Sequence, residues 1–391
     1  MRIPRPLTIL ALLTLLLGGL LTVTPPRARA DGGTAGETCF QETGFCVRGR
    51  FLAYWQANGG LARNGFPLTD EQQELLEDGN TYTVQYFERV RLEYHPENAA
   101  PYDVLLGQFG RRVYQSRFAG QANPRVESLP NQTYFPETGH NVPPPLFTYW
   151  QANGGLAQFG YPLTEVFDEF IASNGRGAYY QVQYFERARF ELHPETPPPY
   201  NVLLGQFGRD ILAENALLAG DPGFMTLYLT NERVRDELGG PSDRAFQYPS
   251  AYQGFEHGAM IAYRQGSSLA GIYVLCGDQG AGQLLRPQVR NAPEYFYDPW
   301  DPSQPVGGGP GPRPGLYEPA RGFGRVWREN QQVHDCLGYA TESGETSFTG
   351  RLQPFHTNAL IAATTPAGRF IYVLYAAGVE RRYERYPDPS R

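Results

Sequence analysis

The sequence predicts an α+β repeat protein of four units, each a short helix plus a three-stranded antiparallel meander, stacked in an arc or ring. The chain of 391 residues is long enough for more than one core. Its 45 Gly, 34 Pro and 14% aromatic residues, with only 19% charged residues, favour strands and turns over long helices. Long stretches of the sequence also occur twice, which predicts repeated structural units.

Three segments carry the duplication. Residues 54–69, YWQANGGLARNGFPLT, return at 149–164 as YWQANGGLAQFGYPLT. Residues 84–98 and 102–111 return in the same order, and the later copies match them at most positions. These later copies are VQYFERARFELHPET at 182–196 and YNVLLGQFGR at 200–209. A unit of this size cannot cover its own apolar face, so neighbouring units are expected to stack.

Each unit begins with an amphipathic segment that predicts a helix. In the first copy, Phe51, Tyr54 and Trp55 have the i, i+3, i+4 spacing of one helical face. Residues 58–60, Asn-Gly-Gly, supply a left-handed C-cap, and 65–67, Gly-Phe-Pro, form a turn into extended chain. The segment therefore predicts a short helix followed by a turn.

Three strands are predicted after this turn. In the first copy they cover residues 84–87, 91–95 and 102–106, and the first two are joined by a hairpin around Glu88 and Arg89. The same order of aromatic helix, turn and strands occurs in two divergent copies, which carry better turn residues at Gly258 and Asn358. Four phenylalanines are expected to be buried at equivalent positions: Phe87, Phe185, Phe255 and Phe355.

The predicted organisation begins with a signal peptide. Arg2 and Arg5, an apolar run at 7–23 and an A-x-A sequence ending at Ala30 are typical of a cleaved secretory signal, although an uncleaved anchor remains the alternative. No later apolar stretch is long enough to span a membrane. The predicted divisions are a signal peptide at 1–30, unit 1 at 31–120, unit 2 at 121–213, divergent unit 3 at 214–297, a Pro/Gly-rich linker at 298–315 that forms no packed element, and divergent unit 4 at 316–391.

Cysteine usage agrees with export. Cys39 and Cys46 bracket a short, turn-rich loop, and an oxidising compartment would join them in a disulfide. The second copy has Tyr134 and Asn141 at these positions, so the bridge is expected to be a local staple. Cys276 and Cys336 can pair only if the fold brings them together. The mature protein is therefore expected to be secreted or associated with the cell wall.

Composition excludes several functions. All 33 basic residues are Arg, which rules out Schiff-base chemistry, a lysine general base and a P-loop lysine. The net charge of −7 leaves no basic stripe for nucleic acid, and no nucleophile signature or dinucleotide-binding motif occurs. We therefore expect a non-catalytic protein without a cofactor.

The recurring turns carry a resemblance to a known family. They are followed by Phe-Glu at 87–88, 185–186 and 255–256 and by Phe-His at 355–356. In this order they resemble the LGFP-type repeats of secreted bacterial cell-envelope proteins. The turns stand as NGFP at 64–67, FGYP at 159–162, LGGP at 238–241 and LGYA at 337–340. The resemblance implies non-catalytic repeats that hold proteins at the cell wall.

Charged residues at the two hairpins are the candidate ligand-binding residues. A hairpin tip favours Gly, Asn or Asp over Arg, and Arg can grip carboxylates or sugar acids bidentately. Recent duplication would equally explain why both copies keep them. The candidates are Glu88, Arg89, Arg91, Glu186, Arg187 and Arg189.

A metal site is the rival interpretation of the neighbouring strand. Period-two spacing places Arg91, Glu93 and His95 on one face of a strand. Two such strands could meet in a metal or catalytic centre, or they could simply carry polar faces with Arg–carboxylate pairs. The residues of the metal interpretation are Glu93, His95, Glu191 and His193.

Aromatic residues offer a second kind of ligand contact. Those in the predicted helices are expected to pack against the strands rather than to stack on sugar rings; they are Trp55, Trp150, Tyr228 and Trp327. The aromatics of irregular regions, such as those of 295–300, are better candidates for binding. The leading hypothesis is a secreted protein that binds envelope or extracellular polysaccharide, or a surface protein, through grooves between units. The alternatives are a polysaccharide hydrolase with paired carboxylates, for which Glu88 with Glu186 or Glu93 with Glu191 would serve, and a structural adhesion component.

Overall fold

The structure is a computed structural model that describes most of the chain after residue 35. The described residues are 36–173, 176–265, 269–278, 280–287, 293, 295–297, 306–356, 358–376 and 380–390. The predicted signal peptide at 1–30 lies outside them. Among the described residues, none of the helices has the length and apolar composition needed to cross a membrane.

The N-terminal half contains two four-stranded antiparallel sheets of the same order. The first part consists of β1 (Glu37–Cys39), β2 (Cys46–Arg48), α1 (Gly49–Ala57), α2 (Gly60–Asn64), β3 (Gln72–Leu75), β4 (Thr81–Tyr86), β5 (Arg91–Tyr94), β6 (Val104–Leu106) and α3 (Phe109–Phe118). The second part consists of β7 (Thr133–Phe135), β8 (His140–Val142), α4 (Pro144–Ala152), α5 (Gly155–Phe159), β9 (Phe167–Ser173), β10 (Arg176–Tyr184), β11 (Arg189–Leu192), β12 (Val202–Leu204) and α6 (Phe207–Leu218). We call β3-β4-β5-β6 the first sheet and β9-β10-β11-β12 the second sheet.

The helices and turns form for the reasons that the sequence indicates. Gly59 has φ of 88° and ends α1 in the left-handed conformation that glycine favours. The indole of Trp55 then donates a hydrogen bond of 3.1 Å to the carbonyl oxygen of Gly65, at the turn. The same bond joins the helix aromatic to the turn glycine at three more places, namely Trp150 with Gly160, Tyr228 with Gly239 and Trp327 with Gly338. These four aromatics hold the turns in place, so packing rather than ligand stacking explains their positions.

The helix that follows each sheet contacts both sheets. Phe109 of α3 packs on Tyr86 of its own sheet and Phe207 of α6 on Tyr184 of its own sheet, and we call the two helices exchanged because each also binds the other sheet. α3 follows the first sheet, but the backbone N–H of Arg111 donates to the carbonyl oxygen of Glu186 in the second sheet, at 3.0 Å. α6 does the reverse, because the N–H of Gly208 donates to the carbonyl oxygen of Glu88, also at 3.0 Å. The two sheets therefore share a core, which includes Tyr86, Val84, Val182, Tyr184, Phe109, Phe207 and Ile211.

The C-terminal half forms a closed barrel. Its elements are α7 (Pro222–Thr230), α8 (Glu232–Leu238), β13 (Phe246–Phe255), β14 (Gly258–Gln265), β15 (Leu269–Cys276), β16 (Ala281–Leu285), β17 (Phe296–Tyr297), β18 (Gly307–Pro310), β19 (Tyr317–Ala320), α9 (Arg321–Glu329), α10 (Gln331–Leu337), β20 (Thr346–Pro354), β21 (Ala359–Thr365), β22 (Gly368–Tyr375) and β23 (Arg382–Pro387). Eight antiparallel strands pair in the order β13-β20-β21-β22-β23-β16-β15-β14, and β14 pairs with β13 to close the ring.

The barrel is filled and is covered from outside. Alternate side chains of its strands point inward, among them Tyr252, Tyr263 and Tyr372. The outward side chains of β21 and β22 pack under α7 and α8, whereas those of β14 and β15 pack under α9 and α10. Thus α7 and α8, which precede β13–β16 in the chain, cover strands of the set β20–β23. Conversely, α9 and α10, which precede β20–β23, cover strands of the set β13–β16.

The predicted fold class of four helix-plus-meander units in an arc or ring is wrong. β13 pairs with β20, and β16 pairs with β23, so the third and fourth strand sets merge into one barrel without free edges. The meanders also have four strands rather than three, because β3 and β9 were not predicted. The repeated order of elements did not specify which strand edges would pair.

Two finer expectations have different outcomes. Burial of the four phenylalanines is confirmed, with exposed fractions of 0% for Phe87, 0% for Phe185, 6% for Phe255 and 4% for Phe355. The linker prediction for 298–315 stays a prediction, although the described part of this segment is not without regular structure. There, Gly307–Pro310 is a strand and pairs with Tyr317–Ala320.

Both pairs of cysteines form disulfides. Cys39 and Cys46 join the ends of the β1–β2 hairpin, as predicted. Cys276 and Cys336 join β15 to α10, and this connects the barrel wall to the helix that covers it. Disulfides of this kind are typical of proteins that reside in an oxidising or extracellular environment.

Candidate functional site

Two of the predicted ligand-binding arginines are buried at the centres of the sheets. Arg91 is 1% exposed, and its Nε donates to Glu93 at 2.8 Å while its Nη2 donates to Glu77 at 2.8 Å. Its Nη1 lies 3.3 Å from Glu74, and its guanidinium lies over the ring of Tyr86. Arg91 is therefore surrounded by protein groups and holds the first sheet together.

Arg189 has the same position in the second sheet. Its Nη2 donates to Glu191 at 2.6 Å, its Nη1 donates to Glu169 at 3.2 Å, and its guanidinium lies over the ring of Tyr184. The period-two interpretation of this strand as a polar face with Arg–carboxylate pairs agrees with these contacts. The face is turned into the protein rather than toward solvent, since Arg189 is only 5% exposed.

The two hairpin glutamates bind the exchanged helices. Glu88 accepts a hydrogen bond of 2.8 Å from Arg209 on α6, and Glu186 accepts one of 3.0 Å from Arg111 on α3. Each glutamate also accepts from a backbone N–H of the preceding turn. These carboxylates therefore join the two sheets, and the pairing Glu88–Glu186 does not form one open acidic site.

The residues of the metal interpretation stay in separate sheets. The ring nitrogens of His95 hydrogen-bond Glu97 at 2.8 Å and Glu93 at 3.4 Å. His193 makes the same two contacts with Glu195 and Glu191. Hydrogen bonding to Glu93, which acts against the effect of burial, raises the pKa of His95. Each histidine thus has its own carboxylate partners, one on the strand before it and one in the turn after it.

A four-ligand centre between the sheets does not form. In the part of the chain that the structure describes, one group of three or more His, Cys, Asp or Glu ligand atoms lies within 4.8 Å of one another. It consists of Glu37, Cys39 and Cys46, and the two sulfur atoms of this group are joined in a disulfide. The geometry therefore favours structural pairing of Glu93, His95, Glu191 and His193.

A cavity of 520 Å³, which we call the first cleft, lies where the first sheet meets α3, α7 and α8. Its volume falls within the range of about 300–1,000 Å³ that is usual for small-ligand sites. The end of α8 is attached to α3 because the N–H of Gly240 donates to the carbonyl oxygen of Ser116, at 3.3 Å. Four arginines line this cleft: Arg111 and Arg112 of α3, Arg187 of the hairpin between β10 and β11, and Arg235 of α8.

Two of these arginines are buried. Arg112 is 3% exposed; its Nη2 donates to the side-chain oxygen of Asn215, and its Nε lies 3.5 Å from Glu214 without a hydrogen bond. Arg235 is 6% exposed and donates through Nη1 to the carbonyl oxygens of Tyr228 and Leu229 at the end of α7. The cleft therefore combines buried positive charge with donors that make no hydrogen bond.

Two of the four acidic residues of the first cleft are paired with arginines. Glu77 binds Arg91 and lies near Arg112, while Glu93 binds Arg91. Asp78 accepts hydrogen bonds from Asn80 and Tyr82. Burial alone would raise the pKa of Glu77, but the charges of Arg91 and Arg112 outweigh it and lower that pKa to about 2.

A pH titration of stability checks this assignment. Because the folded-state pKa of Glu77 is below its ordinary value of 4.5, its contribution is complete above about pH 4.5 and is lost as the pH falls toward 2. The difference in urea unfolding midpoint between the native chain and Glu77→Gln should be largest at pH 7 and should shrink below pH 4.5. If the difference in unfolding midpoint did not change with pH, the lowered pKa of Glu77 would be contradicted.

A second cavity, of 580 Å³, lies where the second sheet meets α3 and α6, and we call it the second cleft. It is lined by residues of β9, β11, β12, α3 and α6, which include Phe170, Gln206 and Asp210. Phe170 is 54% exposed and is the cross-strand partner of Tyr179, which is 73% exposed. Their ring centroids are 5.4 Å apart in an edge-to-face arrangement.

The charges of the second cleft are neutralised by pairing. Arg117 binds Glu169 at 2.7 Å and Asp210 at 2.8 Å. Arg209 binds Glu88, and Arg189 binds Glu191. The second cleft therefore offers an exposed aromatic pair beside a polar surface on which each lining arginine has a carboxylate partner.

Sequence reasoning missed the most informative cleft residues. Arg112 ends the segment LGQFGRR at 106–112, whereas the second copy has Asp210 at the corresponding position. This substitution in an otherwise matching segment was a usable signal of different clefts. Phe170 and Tyr179 belong to a hairpin in which β9 and β10 pair over seven positions, compared with four for β3 and β4. Arg235 could not be assigned because nothing in the sequence places α8 against α3.

The chain matched none of the protein-family models, curated proteins or solved structures with which it was compared. The resemblance to LGFP-type repeats therefore stays a prediction from the sequence. The described architecture defines the class of the molecule. It is a closed eight-stranded antiparallel barrel attached to two four-stranded sheets, which are joined by the helices α3 and α6.

Proposed function

We propose that this is an exported, non-catalytic protein that binds polysaccharide of the cell envelope or the extracellular space. The observation that carries the proposal is the exposed Phe170–Tyr179 pair at the polar second cleft. A pyranose ring has a face of C–H groups that packs on an aromatic ring, and a rim of hydroxyls that hydrogen-bond to polar side chains. The 580 Å³ of the cleft, with Gln206 and Asp210 at hand, suits such a ligand.

The state of the carboxylates supports binding rather than hydrolysis. A glycoside hydrolase needs one carboxyl group that acts as an acid and a second that acts as a base or nucleophile, about 5–9.5 Å apart across the bond to be cut. In the second cleft, Glu191 is held by Arg189 and Asp210 by Arg117. In the first cleft, Glu77 is kept ionised by Arg91 and Arg112, which removes it as a proton donor near neutral pH.

Export is the part of the proposal that rests on the N-terminal sequence and the cysteines. Residues 1–30 have the pattern of a cleaved secretory signal. The disulfides Cys39–Cys46 and Cys276–Cys336 suit a protein that works outside the reducing cytosol.

Replacement of the exposed aromatic ring tests the function. Phe170→Ala should weaken retention of the mature chain on purified cell-wall polysaccharide by about tenfold, the usual effect of removing one aromatic anchor. The melting temperature should hardly change, because the ring is half exposed. Retention is measured as the bound fraction in a pull-down over a range of protein concentrations.

Tyr297→Ala is the matched control. Tyr297 is 55% exposed and packs edge to face on Tyr295, with ring centroids 5.6 Å apart, but it lies on the barrel. The control should be retained like the native chain. The proposal would be contradicted if Phe170→Ala were retained as well as the native chain, or if Tyr297→Ala lost as much retention as Phe170→Ala.

A further inference from the structure

We infer that the first cleft is a second binding site, which takes an acidic group of a glycan between Arg187 and Arg235. The acidic group is a carboxylate or a phosphate, both of which the planar guanidinium binds bidentately. The inference rests on the proposed function for the polymer that carries the anion, but the site itself stands on the geometry of the first cleft.

Arg235 is the first of the three observations behind this inference. Its guanidinium is buried, with 6% exposure, and its Nε makes no hydrogen bond. Within the described residues it has no carboxylate oxygen inside 4.0 Å. Its charge does reach the neighbouring Asp236, where it opposes the rise that burial causes in the pKa of that carboxyl. A buried cation is unfavourable without a carboxylate in direct contact. Nη1 of Arg235 donates to the carbonyl oxygens of Tyr228 and Leu229. Arg235 also lines the first cleft.

Arg187 is the second observation, and its twin in the first sheet makes it informative. Arg89 and Arg187 each donate through Nη1 to a backbone carbonyl, that of Leu61 at 3.1 Å and that of Leu156 at 3.2 Å. Their backbone hydrogen bonds are therefore equivalent, although Nη1 of Arg89 also lies 3.9 Å from Glu88. Arg187 alone lines the first cleft, however, and neither residue lines the second cleft. Arg187 also has no carboxylate oxygen within 4.0 Å among the described residues.

The rest of the lining leaves Arg187 and Arg235 as the two arginines of the cleft that are available to an anion. Arg112 is a third, buried guanidinium, but its charge is already paired, since it lies 3.5 Å from Glu214 and 3.9 Å from Glu77. Glu77, Glu93 and Asp78 are bound to other groups of the protein, as described above. The remaining acid, Glu232, is exposed at the start of α8. The lining thus has as many acidic as basic side chains, and Arg187 and Arg235 are its arginines without a carboxylate oxygen within 4.0 Å among the described residues.

The second cleft gives the contrast. Asp210 occupies the position that corresponds to Arg112, and its carboxylate pairs with Arg117. The two clefts therefore differ in charge at equivalent positions of α3 and α6. A glycan with both acidic and neutral sugars could bind with its acidic residue in the first cleft and a neutral ring at Phe170.

Calorimetric titration of the mature chain tests the first cleft directly. The probes are trigalacturonate for the carboxylate, mannose 6-phosphate for the phosphate and maltotriose as the uncharged control. We expect one of the two anions to bind more tightly than maltotriose, and Arg187→Ala to weaken that binding by about tenfold or more, the usual value of one charged hydrogen bond. The binding should also weaken as sodium chloride is raised from 50 to 500 mM.

Arg89→Ala is the matched control, because it removes an equivalent arginine with an equivalent backbone hydrogen bond. It should bind the anion within about twofold of the native chain. Equal losses in the two variants would overturn the inference, as would failure of both anions to bind. Which anion binds identifies the group.

The two proposals can fail separately. If the native chain retains polysaccharide through Phe170 but binds neither anion, the proposed function stands and this inference falls. If an anion binds through Arg187 but polysaccharide is not retained, the first cleft is an anion site and the proposed function falls.

Discussion

Replacing Arg91 with Ala is expected to lower the free energy of unfolding by about 3–5 kcal/mol, which is the usual cost of leaving buried carboxylates without their partner. Glu74 and Glu93, whose side chains are 9% and 10% exposed, both depend on this guanidinium. Their negative charges would remain close together in the first sheet. The measurement is urea unfolding of the mature chain, followed by tryptophan fluorescence.

A surface arginine provides the comparison. Arg48 binds Glu37, but its side chain is 60% exposed, so Arg48→Ala should cost no more than about 1 kcal/mol. Arg189→Ala should resemble Arg91→Ala, because Arg189 binds Glu169 and Glu191 in the same way. A loss for Arg91→Ala that is no larger than the loss for Arg48→Ala would show that the carboxylates find other partners or solvent.

The local structure of the N-terminal half was predictable because its signals are short-range. The helix at Phe51, the left-handed Gly59 and the hairpin at Glu88 each depend on a few adjacent residues. The Cys39–Cys46 disulfide is predictable for the same reason, since only a hairpin separates the two residues. These features do not depend on how distant elements pack.

The barrel was not predictable from the repeated order of elements, although one signal pointed toward two-sided burial. In β15, Tyr273 and Leu275 point into the barrel, whereas Ile272 and Val274 pack under α9 and α10. Such continuous apolar runs are typical of strands covered on both faces. β5 instead alternates charged Arg91 with apolar Leu92. This contrast predicts different environments for the two halves, but not which strand edges pair.

The candidate sites were predictable only in part. The period-two pattern correctly placed Arg91, Glu93 and His95 on one face, but it could not show that the face is buried by the exchanged α3 and α6. Arg187 was among the sequence candidates and lines the first cleft. Arg235 comes from a helix whose position depends on tertiary contacts. The two clefts lie between elements that are distant in the sequence, so the local pattern of residues along one strand or helix cannot predict them.

The last prediction concerns the contact between α6 and the first sheet. A Cβ atom placed on Gly208 would lie 1.8 Å from the carbonyl oxygen of Phe87, which is backbone and cannot rotate away. Gly208→Ala should therefore push α6 off the first sheet and weaken the bonds that Gly208 and Arg209 make to Glu88. We expect a loss of about 1–3 kcal/mol, although Gly→Ala within a helix usually stabilises.

Gly220→Ala, just after the same helix, is the control, because its Cβ would meet no atom within 4 Å. Its free energy of unfolding should stay within about 0.5 kcal/mol of the native value. Gly110→Ala should reproduce the loss from the other side, since its Cβ would lie 1.9 Å from the carbonyl oxygen of Phe185. In hydrogen exchange, the amide at position 208 should lose protection in the Gly208→Ala chain and keep it in the Gly220→Ala chain. If Gly208→Ala kept the stability of the native chain and the protection of this amide, α6 would not dock on the first sheet. The close contact between α6 and the first sheet would then be wrong.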